Sequence, residues 1–182
     1  MRIEPATAND TPEIRAAYAY GRDTQRRVGS PVWPEFTDDA ILAEIRAARL
    51  FRVIDDQTIA AVFSVAYEDP AIWGELERGA HLYLHRIARA AGWNGRGVMD
   101  VILSWAAAEC RSRARVGIRI DTWASNAELI AFYQRRGFSL VGHRHIGVDP
   151  RLPAHYHHNE FALLESAVAA KATALPAISD SN

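Results

Sequence analysis

The chain has little cysteine, no long apolar stretch and almost no net charge, and each absence excludes a class of protein. Cys110 is the only cysteine among 182 residues, so no internal disulfide can form, and the composition suits a reducing cytoplasm. A formal net charge of −1 provides no field that would attract nucleic acid or an acidic membrane. No apolar run approaches membrane-spanning length, and the segment from Met1 to Asp10 lacks the apolar core of a signal peptide. We therefore predict a cytoplasmic protein without nucleic-acid or membrane partners.

What remains is the composition of an ordinary globular domain. Hydrophobic residues make up 49% and charged residues 24% of the chain, which is long enough to bury a core. No internal repeat is visible. We expect one domain over residues 1–165 and a frayed tail over 166–182, where alanine and serine dominate.

Strand and helix patterns alternate along this domain. Alternating apolar residues predict strands near 2–6, 50–55, 59–67, 81–88, 116–121, 139–142 and 157–164. Helical spacing predicts a helix from about residue 10 to 20, a second from 37 with Leu42 and Ile45 facing inward, and a third beginning at Val98, with Cys110 in the core. Residues 21–34 are predicted to be a loop or broken helix. Ser125 and Glu128 form the pattern of a capping box that opens a fourth helix.

A glycine-rich segment lies between the fourth strand and the third helix. It reads Gly92-Trp93-Asn94-Gly95-Arg96-Gly97, and below it is called the glycine loop. The first N–H groups of a helix lack intrahelical partners and the helix dipole adds positive charge there, so such a junction can hold a pyrophosphate. Neither the Rossmann fingerprint nor a Walker A loop matches this spacing.

A second motif follows about thirty residues later. It consists of Asp121-Thr122-Trp123-Ala124-Ser125-Asn126 and a short helix that ends in Phe132-Tyr133-Gln134-Arg135-Arg136-Gly137-Phe138. Asn126 and Tyr133 are seven residues apart, or two helical turns, so we expect both on one face of that helix.

Together these motifs resemble the GNAT acyltransferases, which move an acyl group from acyl-coenzyme A (acyl-CoA) to an amine. The loop pattern of that family is Q/R-x-x-G-x-G/A; both glycines are present here, but Gly92 replaces the leading residue and Asn94 replaces a common basic residue. The resemblance implies an α/β fold with a mixed, mostly antiparallel, twisted sheet, helices on both faces and a cleft between two splayed central strands.

The resemblance also implies that acetyl-CoA is the co-substrate and is held largely by the backbone. The strand that carries Ile87 would pair with the pantetheine arm as if with an added strand, and the loop amides would hold the pyrophosphate. Asn126 occupies the family position that contacts pantetheine. The predicted cofactor-binding residues are Ile87, Ala88, Arg89, Gly92, Trp93, Asn94, Gly95, Arg96, Gly97, Val98, Asn126 and Tyr133.

Tyr133 matches the family position whose phenol faces the coenzyme A sulfur. A phenol with a pKa of about 10 stays protonated and can donate to a departing thiolate, whose thiol has a pKa of about 8.5 in solution. The alternative is a buried tyrosine that only packs beside Phe132.

The acceptor amine requires a base. Neutralising a lysine-like amine at pH 7 costs about 4.6 kcal/mol, whereas an α-amino group costs only about 1 kcal/mol. His85 has the most suitable ordinary pKa and is the predicted base, with Tyr83, Glu68 and Asp69 as other candidates. A structural histidine or a chain of water molecules would be the alternative.

The sequence gives the least information about the pocket for the acceptor amine. We assign Trp33, Glu68, Trp73 and Tyr156 to it, because most of these residues lie in or beside predicted loops. Histidines 143, 145, 155, 157 and 158 could offer zinc ligands, but the implied chemistry needs no metal and none is predicted.

The resulting prediction is an acetyl-CoA-dependent N-acetyltransferase that acts on a primary amine of a small molecule or peptide. The alternative is a non-catalytic domain of the same shape that binds acyl-CoA, which the departures at Gly92 and Asn94 keep open. Whether the chain forms a homodimer is also left open.

Overall fold

The computed structural model describes residues 1–169 and contains one seven-stranded sheet with helices on both faces. Its strands are β1 (Arg2–Pro5), β2 (Leu50–Asp55), β3 (Thr58–Ala66), β4 (His81–Arg89), β5 (Gly117–Trp123), β6 (Ser139–Ile146) and β7 (Asn159–Ala167). Its helices are α1 (Thr11–Arg27), α2 (Asp38–Arg46), α3 (Pro70–Trp73), α4 (Val98–Ser112) and α5 (Ala127–Gln134). Short 3-10 turns cover Ala8–Asp10, Gly74–Leu76 and Ala154–Tyr156.

The strand order is β1-β2-β3-β4-β5-β7-β6. Every neighbouring pair is antiparallel except β4 and β5, which run parallel at the centre of the sheet. The predicted fold class is therefore confirmed. Among residues 1–169, no helix combines the length and apolar character that crossing a bilayer requires.

The two faces of the sheet carry separate apolar cores. On β3, Phe63 faces a core that includes α4, whereas Val62 faces a core with α1 and α2. Cys110 lies fully buried in the α4 core, and burial raises the pKa of its thiol to about 11. The burial confirms the prediction that Cys110 is a core residue. A thiol with so high a pKa also stays protonated near neutral pH.

Two helix predictions need correction. Helix α1 continues to Arg27, so the predicted loop over 21–34 begins too early; Gly21 is tolerated within the helix, and a Cβ placed there would lie 3.3 Å from the ring of Trp33. In α2, Ile41 is the buried residue; half-buried Ile45 packs against the same core, as predicted, and Leu42 is half-buried.

The cap of α5 also differs from the prediction. Asn126, not Ser125, is the N-cap, since its Oδ1 accepts a hydrogen bond of 3.0 Å from the backbone N–H of Leu129. Both residue types cap helices well, so the pattern alone did not distinguish two adjacent candidates.

The C-terminal strand is longer than predicted. Ser166 and Ala167, the first two residues of the predicted tail, pair with Ile118 and Gly117 of β5. The remainder of that predicted tail from residue 170 lies outside the described residues.

Candidate active site

The central strands β4 and β5 separate after three residue pairs. Pairing runs from His81 with Gly117 to Tyr83 with Arg119, and the rest of β4 pairs only with β3 within the described residues. Backbone groups on the β5 side of residues 84–89 are therefore left without strand partners. This is the predicted opening between two splayed strands, and it can accept an extended ligand as an added strand.

One continuous cleft of about 790 Å³ occupies this opening and reaches both faces of the sheet. Most of the predicted site residues line it. They are Trp33, His85, Ile87, Ala88, Arg89, Trp93, Gly95, Arg96, Gly97, Val98, Asn126, Tyr133 and Tyr156.

Four predicted residues do not line this cleft. Gly92 and Asn94 are exposed on the outer side of the glycine loop, and Glu68 is exposed beyond the end of β3. Trp73 is only 1% exposed, because its ring packs under the guanidinium of Arg119 at 4.3 Å within the core. All four look like loop positions in the sequence, but packing buries Trp73 in the core, whereas the other three are exposed.

The glycine loop delivers a set of free backbone donors to the cleft. Gly95 and Gly97 have φ values of +69° and +71°, a left-handed backbone that glycine adopts without penalty. Within residues 1–169, no acceptor pairs with the N–H groups of Gly95, Arg96, Gly97 and Val98, where α4 begins. Such a group of amides at a helix N-terminus suits a phosphate-bearing ligand.

Asn126 and Tyr133 mark the two ends of α5 along the cleft. Tyr133 is 5% exposed and packs between Phe132 and Phe138, with ring centroids 5.5 and 5.6 Å away. Its phenol has no hydrogen-bond partner among the described residues, although it borders the cleft. Burial, helped by the charge of Asp121, raises the pKa of this phenol above its ordinary value. The hydroxyl therefore stays protonated and available as a donor.

His85 lies between two carboxylates, and we call these three residues the His85 cluster. Its Nε2 is 3.4 Å from Oδ2 of Asp69, and its Nδ1 is 3.3 Å from Oδ1 of Asp121. Burial alone would lower the pKa of His85, but the hydrogen bond and charge of Asp121, together with the charge of Asp69, raise it. Burial also raises the pKa of Asp69 to about 6. The cluster can thus take up a proton near neutral pH.

Asp121 is the functional candidate that the sequence reasoning missed. The parallel register pairs His81 with Gly117, so four residues further along it sets His85 against Asp121, where the strands begin to part. No local signal in the sequence marks this partnership, because the register joins residues that are distant in the chain. Asp69 was a named candidate, whereas Glu68 beside it was the one assigned to the site.

The phenol of Tyr83, another candidate base, is already hydrogen-bonded to other side chains. It donates a 2.5 Å hydrogen bond to Glu77 and accepts one of 3.0 Å from Arg119. It shares the face of His85, as the strand period predicted, but lies within the core.

Among the C-terminal histidines, His143, His145 and His158 line a second hollow beside β6 and β7, outside the main cleft. In residues 1–169 the one group of three potential ligand residues within reach of a single ion is the His85 cluster. His155 borders the cleft beside Tyr156, with ring centroids 4.6 Å apart, and His157 hydrogen-bonds to backbone carbonyls of Asp149 and Leu152.

Comparison with known proteins identifies the family. The sequence model of the acetyltransferase (GNAT) family matches residues 17–138, about two thirds of the chain. The chain belongs to the GNAT family. This GNAT protein is 26% identical over 146 residues to the uncharacterized N-acetyltransferase YesJ of Bacillus subtilis (strain 168), a match that covers 76% of this chain and 81% of YesJ.

Solved structures support the same fold. A GNAT-family acetyltransferase from Listeria monocytogenes 4b F2365 superimposes with a TM-score of 0.71 at 18% identity, covering 91% of this chain and 94% of that one. YncA from Salmonella typhimurium, solved with its cofactor acetyl-CoA, gives a TM-score of 0.64 at 14% identity and covers 97% of this chain and 98% of that one.

Proposed function

We propose that this GNAT protein transfers an acetyl group from acetyl-CoA to a primary amine by direct attack of the amine on the thioester. The observation that carries the proposal is the continuity of the cleft. It joins the free amides of the glycine loop, the open edge of β4, the phenol of Tyr133 and the imidazole of His85. A binding site alone would not need both a proton donor and a proton acceptor at its centre.

The cofactor half of the cleft fits coenzyme A through its backbone. The amides of Gly95, Gly97 and Val98 are available for the pyrophosphate, and the free edge of β4 at Ile87 is available for the pantetheine arm. Bound acetyl-CoA supplies an acyl group activated as a thioester. Gly92 and Asn94 lie outside the cleft, so their departure from the family pattern leaves these backbone donors intact.

The His85 cluster supplies the base. His85 accepts a proton from the acceptor nitrogen as that nitrogen forms a bond to the acetyl carbon. Asp121 stabilises the imidazolium that results, because its Oδ1 lies 3.3 Å from Nδ1. The proton then passes to solvent through the open cleft.

Tyr133 supplies the acid. As the carbon–sulfur bond breaks, the phenol donates its proton to the sulfur, so that the products are an N-acetyl amide and the free thiol. Burial disfavours thiolate and phenolate alike, so the proton transfer does not depend on the solution pKa of the thiol alone. The phenol regains its proton after the products leave.

The test measures binding and turnover separately. Acetyl-CoA binding is measured by calorimetry, and thiol release is measured with a thiol-reactive dye against a panel of amines. Tyr133→Phe should bind acetyl-CoA normally but lose roughly 100-fold in kcat. Tyr67→Phe is the matched control, because the Tyr67 phenol pairs with Glu109 away from the cleft.

Each outcome decides between alternatives. A parent protein that binds acetyl-CoA but releases no thiol with any amine would be a binding module instead. Full kcat in Tyr133→Phe would remove the phenol from the mechanism, and failure of the parent to bind acetyl-CoA would overturn the proposal.

A further inference from the structure

A bulge in β4 changes which side chains reach the acceptor side of the cleft. Ala88 pairs with Val62 and His85 pairs with Ser64, so two β4 residues, Arg86 and Ile87, stand opposite one residue of β3. Arg86 has a φ of +50°, a left-handed backbone that occurs in one class of bulge. In a regular strand, neighbouring residues would point to opposite faces.

Because of the bulge, Arg86 lies on the same side of the sheet as His85. Its guanidinium approaches Glu44 of α2, with Nη2 2.9 Å from Oε2, and lies 5.7 Å from the ring centre of Phe36. Two consecutive residues thus bring an imidazole and a guanidinium into the cleft together.

The charge of Arg86 is only partly neutralised. Glu44 is shared with Arg49, whose Nη2 lies 2.9 Å from Oε1 and whose Nε donates a 3.2 Å hydrogen bond to Oε2. Two guanidiniums and one carboxylate leave a net positive charge. Within residues 1–169, Glu44 is the only carboxylate that pairs with the guanidinium of Arg86, and Arg86 borders the cleft.

The neighbouring His85 cluster has the opposite character. Asp69 and Asp121 surround a single imidazole, which favours an ammonium or a polar N–H group beside them. Aromatic side chains of Trp33 and Tyr156 form the walls nearby. A diamine, a polyamine or a lysine side chain would bring a second positive charge or an apolar stem to Arg86, which neither satisfies its donors nor balances its charge.

We propose that the acceptor is a free amino acid or a close analogue, in which the reacting amine faces the His85 cluster and a carboxylate pairs with Arg86. This inference rests on the proposed acetyl transfer and adds the chemical class of the acceptor to it. Arg86 would then set specificity, since a planar carboxylate matches the fork of a guanidinium.

The test compares amino acids with their carboxamides, which keep the amine and side chain but lose the negative charge. Rates are corrected to the neutral amine, and kcat/KM is measured by thiol release. The parent should prefer the carboxylate form by roughly 10- to 100-fold, the size expected for a hydrogen bond to a charged group. In Arg86→Gln that preference should vanish, whereas Arg86→Lys should restore part of it.

Arg49→Gln is the matched control, because Arg49 shares Glu44 but does not line the cleft. It should keep the preference for the carboxylate, and acetyl-CoA binding should be unchanged in all three variants. Turnover of amines without a carboxylate preference, or a preference that survives in Arg86→Gln, would overturn this inference and leave the acetyl transfer standing. Absence of turnover with every amine would instead contradict the proposed function itself.

Discussion

The two halves of the cleft are built from different atoms. The half proposed to hold the cofactor offers backbone N–H groups at the glycine loop and the open edge of β4, and the side chains of Arg89, Arg96 and Asn126 also line it. The acceptor half consists of side chains from separate elements, with His85 from β4, Asp121 from β5 and Asp69 beside α3.

This difference explains why departures from the family pattern have different consequences in the two halves. A backbone donor survives most substitutions, so the exposed Gly92 and Asn94 can differ without loss of the amides. A side-chain cluster depends on every member, since each charge sets the protonation of the others. We therefore expect changes in the acceptor half to alter chemistry and changes in the cofactor half to alter binding.

The largest expected effect is on the base. His85→Gln should lower kcat by roughly 100-fold or more, because general base catalysis contributes on this scale, while the Kd for acetyl-CoA stays the same. His143→Gln is the control, an exposed histidine on β6 outside the cleft. An unchanged kcat in His85→Gln would mean that water, not the imidazole, accepts the proton.

A tenfold weakening of acetyl-CoA binding is expected from a change in the glycine loop. Gly97→Ala places a Cβ at a φ of +71°, and the left-handed backbone costs a non-glycine residue roughly 1–2 kcal/mol. Relief of that strain would distort the loop, so the Kd for acetyl-CoA should rise about tenfold with little change in the acceptor KM. Calorimetry would measure the first and thiol release the second.

Gly79→Ala is a close control for this change. Gly79 has a φ of +63°, and like Gly97 it has open space where the Cβ would lie, but it is remote from the cleft. Both variants should lose similar stability, and only Gly97→Ala should weaken cofactor binding. Equal binding by the two variants would contradict the assigned role of the loop.

A smaller effect separates the two adjacent candidates for the α5 cap. Asn126→Ala should reduce the free energy of unfolding by about 1 kcal/mol, because it removes the hydrogen bond to Leu129. Ser125→Ala should change it by less than about 0.5 kcal/mol. Urea denaturation measures both, and a larger loss in Ser125→Ala would restore Ser125 as the cap.

The smallest expected effect is a shift in the pH dependence of kcat/KM. His85 acts as a base only when neutral, so activity falls as the pH drops through its raised pKa. In Asp121→Asn the hydrogen bond to a charged partner and the negative charge are lost, the pKa of His85 falls, and the acidic limb of kcat/KM should move to lower pH. Glu68→Gln, at an exposed position, should leave the limb in place. Movement to higher pH would contradict the assignment.

Features that depend on residues close together in the chain were predicted correctly from the sequence. The glycine loop, the start of α4 and the spacing of Asn126 and Tyr133 involve residues close together in the chain, and their backbone conformations follow from residue type. The errors were also local but finer, such as the choice between Ser125 and Asn126. The end of α1 was predicted too early because glycine often ends a helix, whereas Gly21 lies within α1.

Contacts between side chains on different strands were predicted less well from the sequence. Trp73 resembles a loop aromatic in the sequence, yet Arg119 and Tyr83 hold it in the core. Asp121 alternates with apolar residues in the predicted strand over 116–121, and that pattern does not show that it meets His85 across the sheet. No sequence pattern marked the bulge at Arg86.

The order of the strands, the glycine loop before α4 and the family itself could be predicted from the sequence alone, since each depends on residue types at short spacing. Only the tertiary structure determined which side chains meet in the half of the cleft proposed for the acceptor. Strand register placed Asp121 beside His85, and a one-residue bulge turned Arg86 to the same side. Both depend on pairing between strands that are distant in the chain, and short-range spacing carries no information about such pairing.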